Sequence, residues 1–252
     1  SYFHPFKGTW RVPTTPHKVA KQTYDGGKPG DYLTDVLSDA AVNLIRQQPR
    51  NQPFFLYFPF YNVHTPLQGK KDKLARYAAV PMSKRQGTPD YAAMVESVDD
   101  GVGRVMAVLR ELKLAKNTLV IFTNDNGPVL EEMSKPYRGA KNTTFEGGVR
   151  VPCVMRWPGK TKPGSSADGM MFVSDWFATF VKLAGGSLKQ DRPLDALDMS
   201  EMIFNGKSSP RTEIVFEVSG SVRTPTIRSG DFKLMGDLLY NVVNDPSEKE
   251  DI

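Results

Sequence analysis

The chain contains a single cysteine, Cys153, among its 252 residues. One cysteine excludes a disulfide within the chain, and its position in an apolar run predicts a buried, unreactive thiol. No apolar run reaches the roughly 20 residues that a membrane-spanning helix requires. A membrane span is therefore not expected. Lysine and arginine are scattered along the chain in spite of a net charge of +5, so nucleic-acid binding is not expected either.

Recognisable targeting features are also lacking at the N-terminus. No signal peptide is visible, and the chain begins at Ser1 without an initiator methionine, so we expect a processed or cut N-terminus. Residues 1–29 are rich in proline, glycine, threonine and aromatic residues and lack a sustained periodicity, which predicts a loop or lid. His4 and His17 fall in this stretch, and we interpret both as ordinary loop histidines.

The composition is that of a globular protein, with 39% hydrophobic and 24% charged residues. Apolar residues that recur every three or four positions predict helices at 31–48, at 172–184 and over a longer stretch from Thr88 to Lys113. Pro89 and Asp90 suit the first turn of the longest helix. Shorter helices are predicted within two loop segments, 67–87 and 192–206.

Three apolar runs predict buried strands. Residues 54–60 are apolar throughout, which is typical of a strand buried on both faces. The runs at 117–123 and 149–157 predict two further strands. From Thr212 onward the runs become short and alternating, and Gly230-Asp231 has the chemistry of a turn, so we predict a small antiparallel sheet there.

Polar side chains follow two of these predicted strands. Asp125 and Asn126 come directly after the strand at 117–123, and they offer the hard oxygens that Ca²⁺ or Mg²⁺ prefers. Arg138 and Lys141 follow in a basic loop, which suggests an anion pocket beside a metal. His64 follows the strand at 54–60, where a lone histidine is either a structural hydrogen-bonding residue or a catalytic acid.

Four segments, in order, resemble the second half of a type I sulfatase of the alkaline-phosphatase superfamily: PFFLYFPFYNVHTPLQ, FTNDNGP, YRGAKNTTFEGGVRVP…RWPG and LLYNVVNDPSEKEDI. The resemblance extends from about Asp31 to the C-terminus. It implies an α/β fold with an incomplete, alkaline-phosphatase-like mixed sheet flanked by helices. Residues 1–205 would form the C-terminal part of the sulfatase domain, and residues 206–252 a small antiparallel β subdomain.

The resemblance implies hydrolysis of sulfate esters. Asp125 and Asn126 would bind Ca²⁺, with Mg²⁺ as an alternative, and Lys141 would hold a sulfate oxygen and the leaving group. His64 would contact the sulfate and help to protonate the leaving oxygen. Arg138 is a further substrate-binding candidate, although a supporting role is the favoured interpretation for it, as for two neighbours, Glu146 and Arg150.

The nucleophile of the resembled family is formylglycine, which is made from Cys or Ser in a Cys/Ser-x-Pro-x-Arg motif. Cys153 is followed by Val-Met-Arg and does not match. The segment from Ser134 to Arg138 fits the letters, but it overlaps the Arg-Gly-x-Lys segment and does not open a helix. We therefore expect this chain to carry half of the active site. A separate N-terminal chain would complete the site, or an exposed apolar sheet edge would cause self-association.

Other functions stay open on the sequence alone. A phosphodiesterase or phosphonate-ester hydrolase of the same superfamily is one, although Asn126, where two-zinc enzymes carry histidine, favours a single hard cation and sulfate. A truncated relative that only binds anions is another, and a promiscuous esterase that uses Ser134 is a third. We expect a sulfated carbohydrate or an aryl sulfate as substrate. The resemblance implies a periplasmic, secreted or lysosome-like location.

Overall fold

The computed structural model describes residues 2–4, 28–85, 87–188, 193–216 and 225–252. The chain divides into two compact units, Ser1–Ala115 and Lys116–Ile252. Most of the predicted N-terminal loop, including His17, lies outside the described residues.

The described residues of the first unit include three α-helices: α1 at Leu33–Gln47, α2 at Lys71–Ala78 and α3 at Pro89–Glu111. The start of α3 follows from its sequence, because the side chain of Thr88 accepts a hydrogen bond from the Tyr91 N–H at 3.2 Å and Pro89 needs no partner in the first turn. The predicted helices at 31–48 and 88–113 are thus confirmed to within about two residues.

The helices of the first unit are held by a small core and by surface ion pairs. Tyr2, Tyr32, Leu33 and Met94 form a buried cluster. Arg46, near the end of α1, donates two parallel hydrogen bonds, of 2.6 and 2.7 Å, to the carboxylate of Glu111 at the end of α3. Such exposed pairs fix geometry more than they stabilise the fold.

The predicted strand at 54–60 is wrong in two respects. The structure assigns no strand there, and the residues alternate between half-buried and exposed positions. Phe55 and Tyr57 are 73% and 78% exposed, while the rings of Phe58 and Phe60 lie 4.3 Å apart. A run that is apolar throughout predicts a strand that lies between two neighbouring strands. Within the described part of the chain, no strand pairs with this run.

The second unit begins with a two-stranded antiparallel sheet. Strand β1 at Val120–Thr123 pairs with β2 at Cys153–Arg156. The prediction of a strand from residue 149 is wrong at its start, because residues Glu146–Val149 form one helical turn, α4. The prediction of a buried thiol is also wrong. Cys153 and Val154 point to opposite faces of β2 and both are exposed, so neither face is covered here by the described residues.

The rest of the second unit contains two helices and a four-stranded antiparallel sheet in the order β3-β4-β5-β6. The helices are α5 at Asp175–Leu183 and α6 at Ser200–Asn205. The strands are β3 at Glu213–Phe216, β4 at Thr226–Ser229, β5 at Phe232–Met235 and β6 at Leu238–Asn241.

The small sheet confirms the alternating pattern read from the sequence. Gly230, with φ of +55°, begins the two-residue turn between β4 and β5, where a side chain would be strained. Part of the region predicted as a small sheet from Thr212 onward, residues 217–224, lies outside the described residues. None of the helices described is both long and apolar enough to cross a membrane.

A buried ion pair anchors α5. Asp175, the first residue of α5, is fully buried, and Arg211 donates to its two carboxylate oxygens at 2.8 and 2.5 Å. The N–H groups of Phe172 and Leu197 donate to the same oxygens at 2.7 and 2.9 Å. Burial alone would raise the pKa of Asp175, but these hydrogen bonds outweigh it and hold the pKa below its ordinary value.

We expect Asp175→Asn to lower the free energy of unfolding by about 3 kcal/mol at pH 7, because it leaves the Arg211 charge without its buried partner. The lowered pKa of Asp175 means that its contribution is complete above the unfolded-state pKa of about 3.9 and is lost as the pH falls through the folded-state pKa. Urea unfolding between pH 2.5 and 7 should therefore show a wild-type advantage that shrinks below about pH 4. Asp168→Asn, at an exposed aspartate, is the control. A constant advantage down to pH 2.5 would contradict this account.

Candidate functional site

Two loops of the second unit are joined through their backbones. The Gly127 N–H donates to the Gly148 carbonyl at 2.9 Å, and the Lys141 N–H donates to the Pro128 carbonyl at 2.7 Å. The first loop carries Asp125 and Asn126 at the end of β1. The junction therefore places the predicted metal ligands and the predicted sulfate-binding lysine on adjoining loops.

Glycine is required at this junction. A Cβ atom on Gly127 would lie 1.8 Å from the Gly147 carbonyl oxygen, which no real contact allows. A Cβ atom on Gly147 would in turn lie 2.3 Å from the Gly139 carbonyl oxygen. The two glycines of α4 are therefore needed where the two loops meet, because a Cβ atom on either would meet a backbone oxygen.

Asn126 and Asp125 present oxygen atoms of the kind that a hard cation binds. The Asn126 amide Nδ2 donates to the Gly127 carbonyl at 2.8 Å, so Oδ1 is the atom available to a cation. The Asp125 side chain is exposed. These two donors suit Ca²⁺ or Mg²⁺ in type but fall short of the six to eight oxygens that Ca²⁺ takes. In the described ranges, no group of three or more His, Cys, Asp or Glu residues could complete the set.

Lys141 differs from the other half-buried or buried lysines of the described residues, because those lysines pair with carboxylates. It is half-buried, and the ion pairs found among the described residues do not include it. Lys73 and Lys233, in contrast, each contact two carboxylates. A partly desolvated ammonium without a carboxylate partner is suited to an anionic ligand.

His64 lies in the first unit, and its geometry suits proton transfer. Its exposed ring donates from Nδ1 to the Thr65 carbonyl at 2.9 Å, so in the neutral ring Nε2 carries the lone pair. The loop is held by Tyr2, whose hydroxyl lies 2.6 Å from the Tyr61 carbonyl oxygen and 2.9 Å from that of His64. Burial, with a contribution from Tyr32, raises the pKa of Tyr2 to about 12, so the phenol remains a donor.

Ser134 is a structural residue in this geometry and not a nucleophile. Its side chain is 8% exposed, and its hydroxyl lies 2.8 Å from the carbonyl oxygens of both Glu131 and Gly139 and 3.2 Å from that of Tyr137. Carbonyl oxygens accept the hydroxyl proton but cannot remove it, so this environment lacks the base that an attacking serine needs. The hydroxyl ties the 3₁₀ turn at 131–133 to the start of the Lys141 loop.

Arg138 has a supporting role in the same loop. Its NH1 donates to the Glu248 carbonyl at 2.8 Å, and its guanidinium lies 4.1 Å from the centre of the Phe145 ring. Arg150 lies 3.6 Å from the Glu146 carboxylate. These contacts support the structural interpretation of all three charged residues, and a direct contact between Arg138 and substrate stays a prediction.

Sequence reasoning missed Lys233 and Glu248, which both contact Glu146 or its neighbours. Both residues are far along the sequence from the residues that they contact. Lys233 is 89 residues from Thr144, whose carbonyl it contacts, and Glu248 is 102 residues from Glu146, whose N–H it binds. A signal was present, since the alternation of β5 puts Lys233 on the same buried face as Met235.

The model of one protein family matches this chain. It is the model described as Sulfatase, and it matches residues 2–187. Mouse (Mus musculus) steryl-sulfatase is 36% identical over 201 residues, which are 75% of this chain and 31% of the relative. Pig (Sus scrofa) N-acetylgalactosamine-6-sulfatase is 36% identical over 186 residues, which are 71% of this chain and 34% of the relative. The chain thus spans about a third of the length of these curated relatives.

Solved structures give the same family likeness. The crystal structure of Ps i-CgsB in complex with k-i-k-neocarrahexaose has a TM-score of 0.81 and 31% identity, and the match covers 91% of this chain and 52% of that one. The PsFucS1 sulfatase from Pseudoalteromonas sp. has a TM-score of 0.74 and 28% identity, with 90% and 51% covered. The predicted α/β fold of the alkaline-phosphatase type is confirmed by these neighbours.

We expect Gly127→Ala to destabilise the second unit by about 3 kcal/mol, the upper part of the range for overpacking, because the new methyl group meets the Gly147 carbonyl. Urea unfolding measures the change. Gly103→Ala on α3 is the control, since a Cβ there meets no atom within 4 Å. Equal stability of the two variants would show that the loops are not in close contact.

We expect Ser134→Ala to lower the free energy of unfolding by about 1–3 kcal/mol, because the carbonyls around it lose a buried donor. It should leave any turnover of carboxyl esters unchanged, as measured with p-nitrophenyl acetate. Ser165→Ala is the matched control, since that hydroxyl also donates to a carbonyl three residues earlier, at 2.7 Å, but on the surface. Loss of esterase turnover at unchanged stability would restore Ser134 as a nucleophile.

Proposed function

The chain belongs to the sulfatase family, and we propose that the protein it represents hydrolyses sulfate esters, with this chain supplying part of the metal and sulfate site. The observation that carries the proposal is the backbone junction between the loop of Asp125 and Asn126 and the loop of Lys141. The junction gives a hard-cation donor pair on one loop and, on the adjoining loop, an ammonium that no carboxylate of the described residues pairs with. Binding of a sulfate group beside a cation needs such a combination.

The roles that we propose for the candidate residues are those that the resemblance implies, and the geometry is compatible with them. Lys141 would neutralise charge on a sulfate oxygen and on the leaving oxygen as the S–O bond breaks. His64 would present Nε2 to the substrate, while Nδ1 is held by the Thr65 carbonyl. In its protonated form Nε2 can donate a proton to the departing alcohol. Groups that stabilise developing charge in this way typically contribute a factor of about 10²–10³ in rate.

Asp125 and Asn126 would hold the cation, through a carboxylate and the Oδ1 atom that the Gly127 carbonyl leaves available. Bound Ca²⁺ or Mg²⁺ would supply charge neutralisation for the sulfate oxygens. Two donors do not fill the coordination sphere of Ca²⁺, so we assign the remaining ligands and the formylglycine nucleophile to polypeptide other than this chain.

We propose a sulfated carbohydrate or an aryl sulfate as the substrate and a periplasmic, secreted or lysosome-like location. The carbohydrate assignment is supported by the relative named N-acetylgalactosamine-6-sulfatase and by the neighbour solved with k-i-k-neocarrahexaose. The division into a sulfatase-domain part at 1–205 and a β subdomain at 206–252 is also a proposal. The antiparallel order of β3 to β6 supports it.

The test is sulfate release by the purified protein, whose polypeptide composition is first defined by denaturing mass spectrometry. We expect Lys141→Ala to lower kcat/KM for p-nitrophenyl sulfate by about 10²–10³-fold, because the cation on the sulfate oxygens is lost. Removal of Ca²⁺ with EGTA should abolish turnover, and added Ca²⁺ should restore it. Ion chromatography of released sulfate checks both effects.

Lys160→Ala is the matched control, because Lys160 is an exposed lysine of the same unit. Equal activity of Lys141→Ala and Lys160→Ala would remove Lys141 from the site. Faster turnover of bis-p-nitrophenyl phosphate than of the sulfate ester would replace the proposal by the phosphodiesterase alternative. Sulfate binding without turnover, in a sample that also contains the polypeptide carrying the nucleophile, would support the anion-binding alternative.

A further inference from the structure

Lys233 is the largest fully buried side chain in the described part of the chain. A buried ammonium is costly unless its N–H groups are all paired. Its Nζ lies 2.6 Å from Glu146 Oε1, 2.9 Å from Glu248 Oε1 and 3.0 Å from the Thr144 carbonyl oxygen. Three oxygen atoms thus surround the ammonium, and two of the three partners belong to the segment that follows Lys141.

Glu248 brings the C-terminal turn to the same segment. Its Oε2 accepts a hydrogen bond from the Glu146 N–H at 2.7 Å, and its carbonyl accepts one from Arg138 NH1 at 2.8 Å. One residue thus holds the start and the end of the loop that contains Lys141. Its φ of +52° is in the left-handed region, which is strained for a non-glycine residue, and these contacts offset that strain.

The turn that presents Glu248 is defined by Asp245. The Asp245 carboxylate accepts hydrogen bonds from the N–H groups of Lys249 at 2.5 Å and Glu250 at 2.9 Å, and from the Ser247 hydroxyl at 2.8 Å. The Glu250 N–H makes the largest contribution to lowering the pKa of Asp245, so the carboxylate stays ionised. Residues 245–250, Asp-Pro-Ser-Glu-Lys-Glu, therefore form a turn that is held by their own hydrogen bonds and that contains Glu248.

Uncharged side chains of the small sheet and of the residues that follow it also contact this loop, at Thr144 and Phe145. Met235, Tyr240 and Val242 form a buried cluster against Phe145. The hydroxyls of Thr144 and Thr226 lie 2.8 Å apart in a buried hydrogen bond. The sheet and the C-terminal turn thus contact three consecutive residues, 144–146, at the end of the loop that Lys141 occupies.

We propose that Lys233 and Glu248 are positioning residues, which use their buried ion pairs with Glu146 to fix the 138–146 loop so that Lys141 meets the sulfate group. The inference rests on the proposed function for its catalytic part. Neither residue touches the substrate in this proposal, and both act through Lys141. A role in fold stability alone would not require their contacts to converge on this one loop.

The first test measures the loop without measuring activity. We expect Glu248→Gln to speed hydrogen exchange at the amides of Lys141 and Gly147 by at least roughly tenfold, because the backbone bonds of the loop open when the Glu146 N–H loses its carboxylate. The amides of α5 should keep their exchange rates. Asp175→Asn is the matched control, since it breaks another largely buried ion pair of the same unit, with Arg211 outside the loop, and it should show the reverse pattern.

The second test is a double-mutant cycle on sulfate release. We expect Glu248→Gln to lower kcat/KM by about 10–100-fold, mainly through kcat, as a misplaced catalytic group does. In a Lys141→Ala background the same change should cost less than about twofold, because its effect passes through Lys141. Asp175→Asn should have the same small effect in both backgrounds.

Thr226→Val is a milder variant in case Glu248→Gln does not fold, since it removes one neutral hydrogen bond with little change in shape. It should give the same pattern at a smaller size. Unchanged loop exchange, faster exchange throughout the unit, or additive effects in the cycle would each overturn the inference. Absence of sulfate release by the wild type, in a sample that also contains the polypeptide carrying the nucleophile, would overturn the proposed function and the catalytic part of the inference, while locally faster exchange would still support fixing of the loop.

Discussion

The close approach of three glycine peptide groups sets the geometry of the second unit. Gly127 lies against Gly147 and Gly148 so closely that any side chain at this point would displace a carbonyl oxygen. Hydrogen bonds from Gly127 to Gly148 and from Lys141 to Pro128 then fix the two loops in register. Backbone contacts of this kind position side chains more firmly than side-chain contacts would, because they leave few rotatable bonds between the loops.

Buried charge organises the surroundings of that junction. Asp175 with Arg211, and Lys233 with Glu146 and Glu248, are ion pairs taken largely out of water. Such pairs give little net stability, because the cost of desolvation offsets much of the attraction. They do select one arrangement, since any other leaves a charge without a partner. Each joins segments that are distant in sequence, and each has neutral hydrogen bonds around it that satisfy the remaining polar atoms.

The sequence predicted the parts of the fold that depend on local pattern. The helices α1 and α3 and the small antiparallel sheet follow from periodicity and turn chemistry, and the oxygen-bearing end of β1 was identifiable at Asp125 and Asn126. The strand prediction at 54–60 failed because an apolar run does not reveal whether neighbouring strands are present. The buried Lys233 and Glu248 escaped notice because pairing across about a hundred residues leaves no local trace, apart from a lysine on the apolar face of β5.

The exposed position of Cys153 has a practical consequence for spectroscopy. The chain has no other thiol, so a maleimide-linked fluorophore or spin label would attach at one atom without any substitution. Cys153 pairs with Thr123 in the sheet of β1 and β2, and Thr123 is two residues before Asp125. A probe there would report directly on the environment of the strand end that leads into the candidate metal loop.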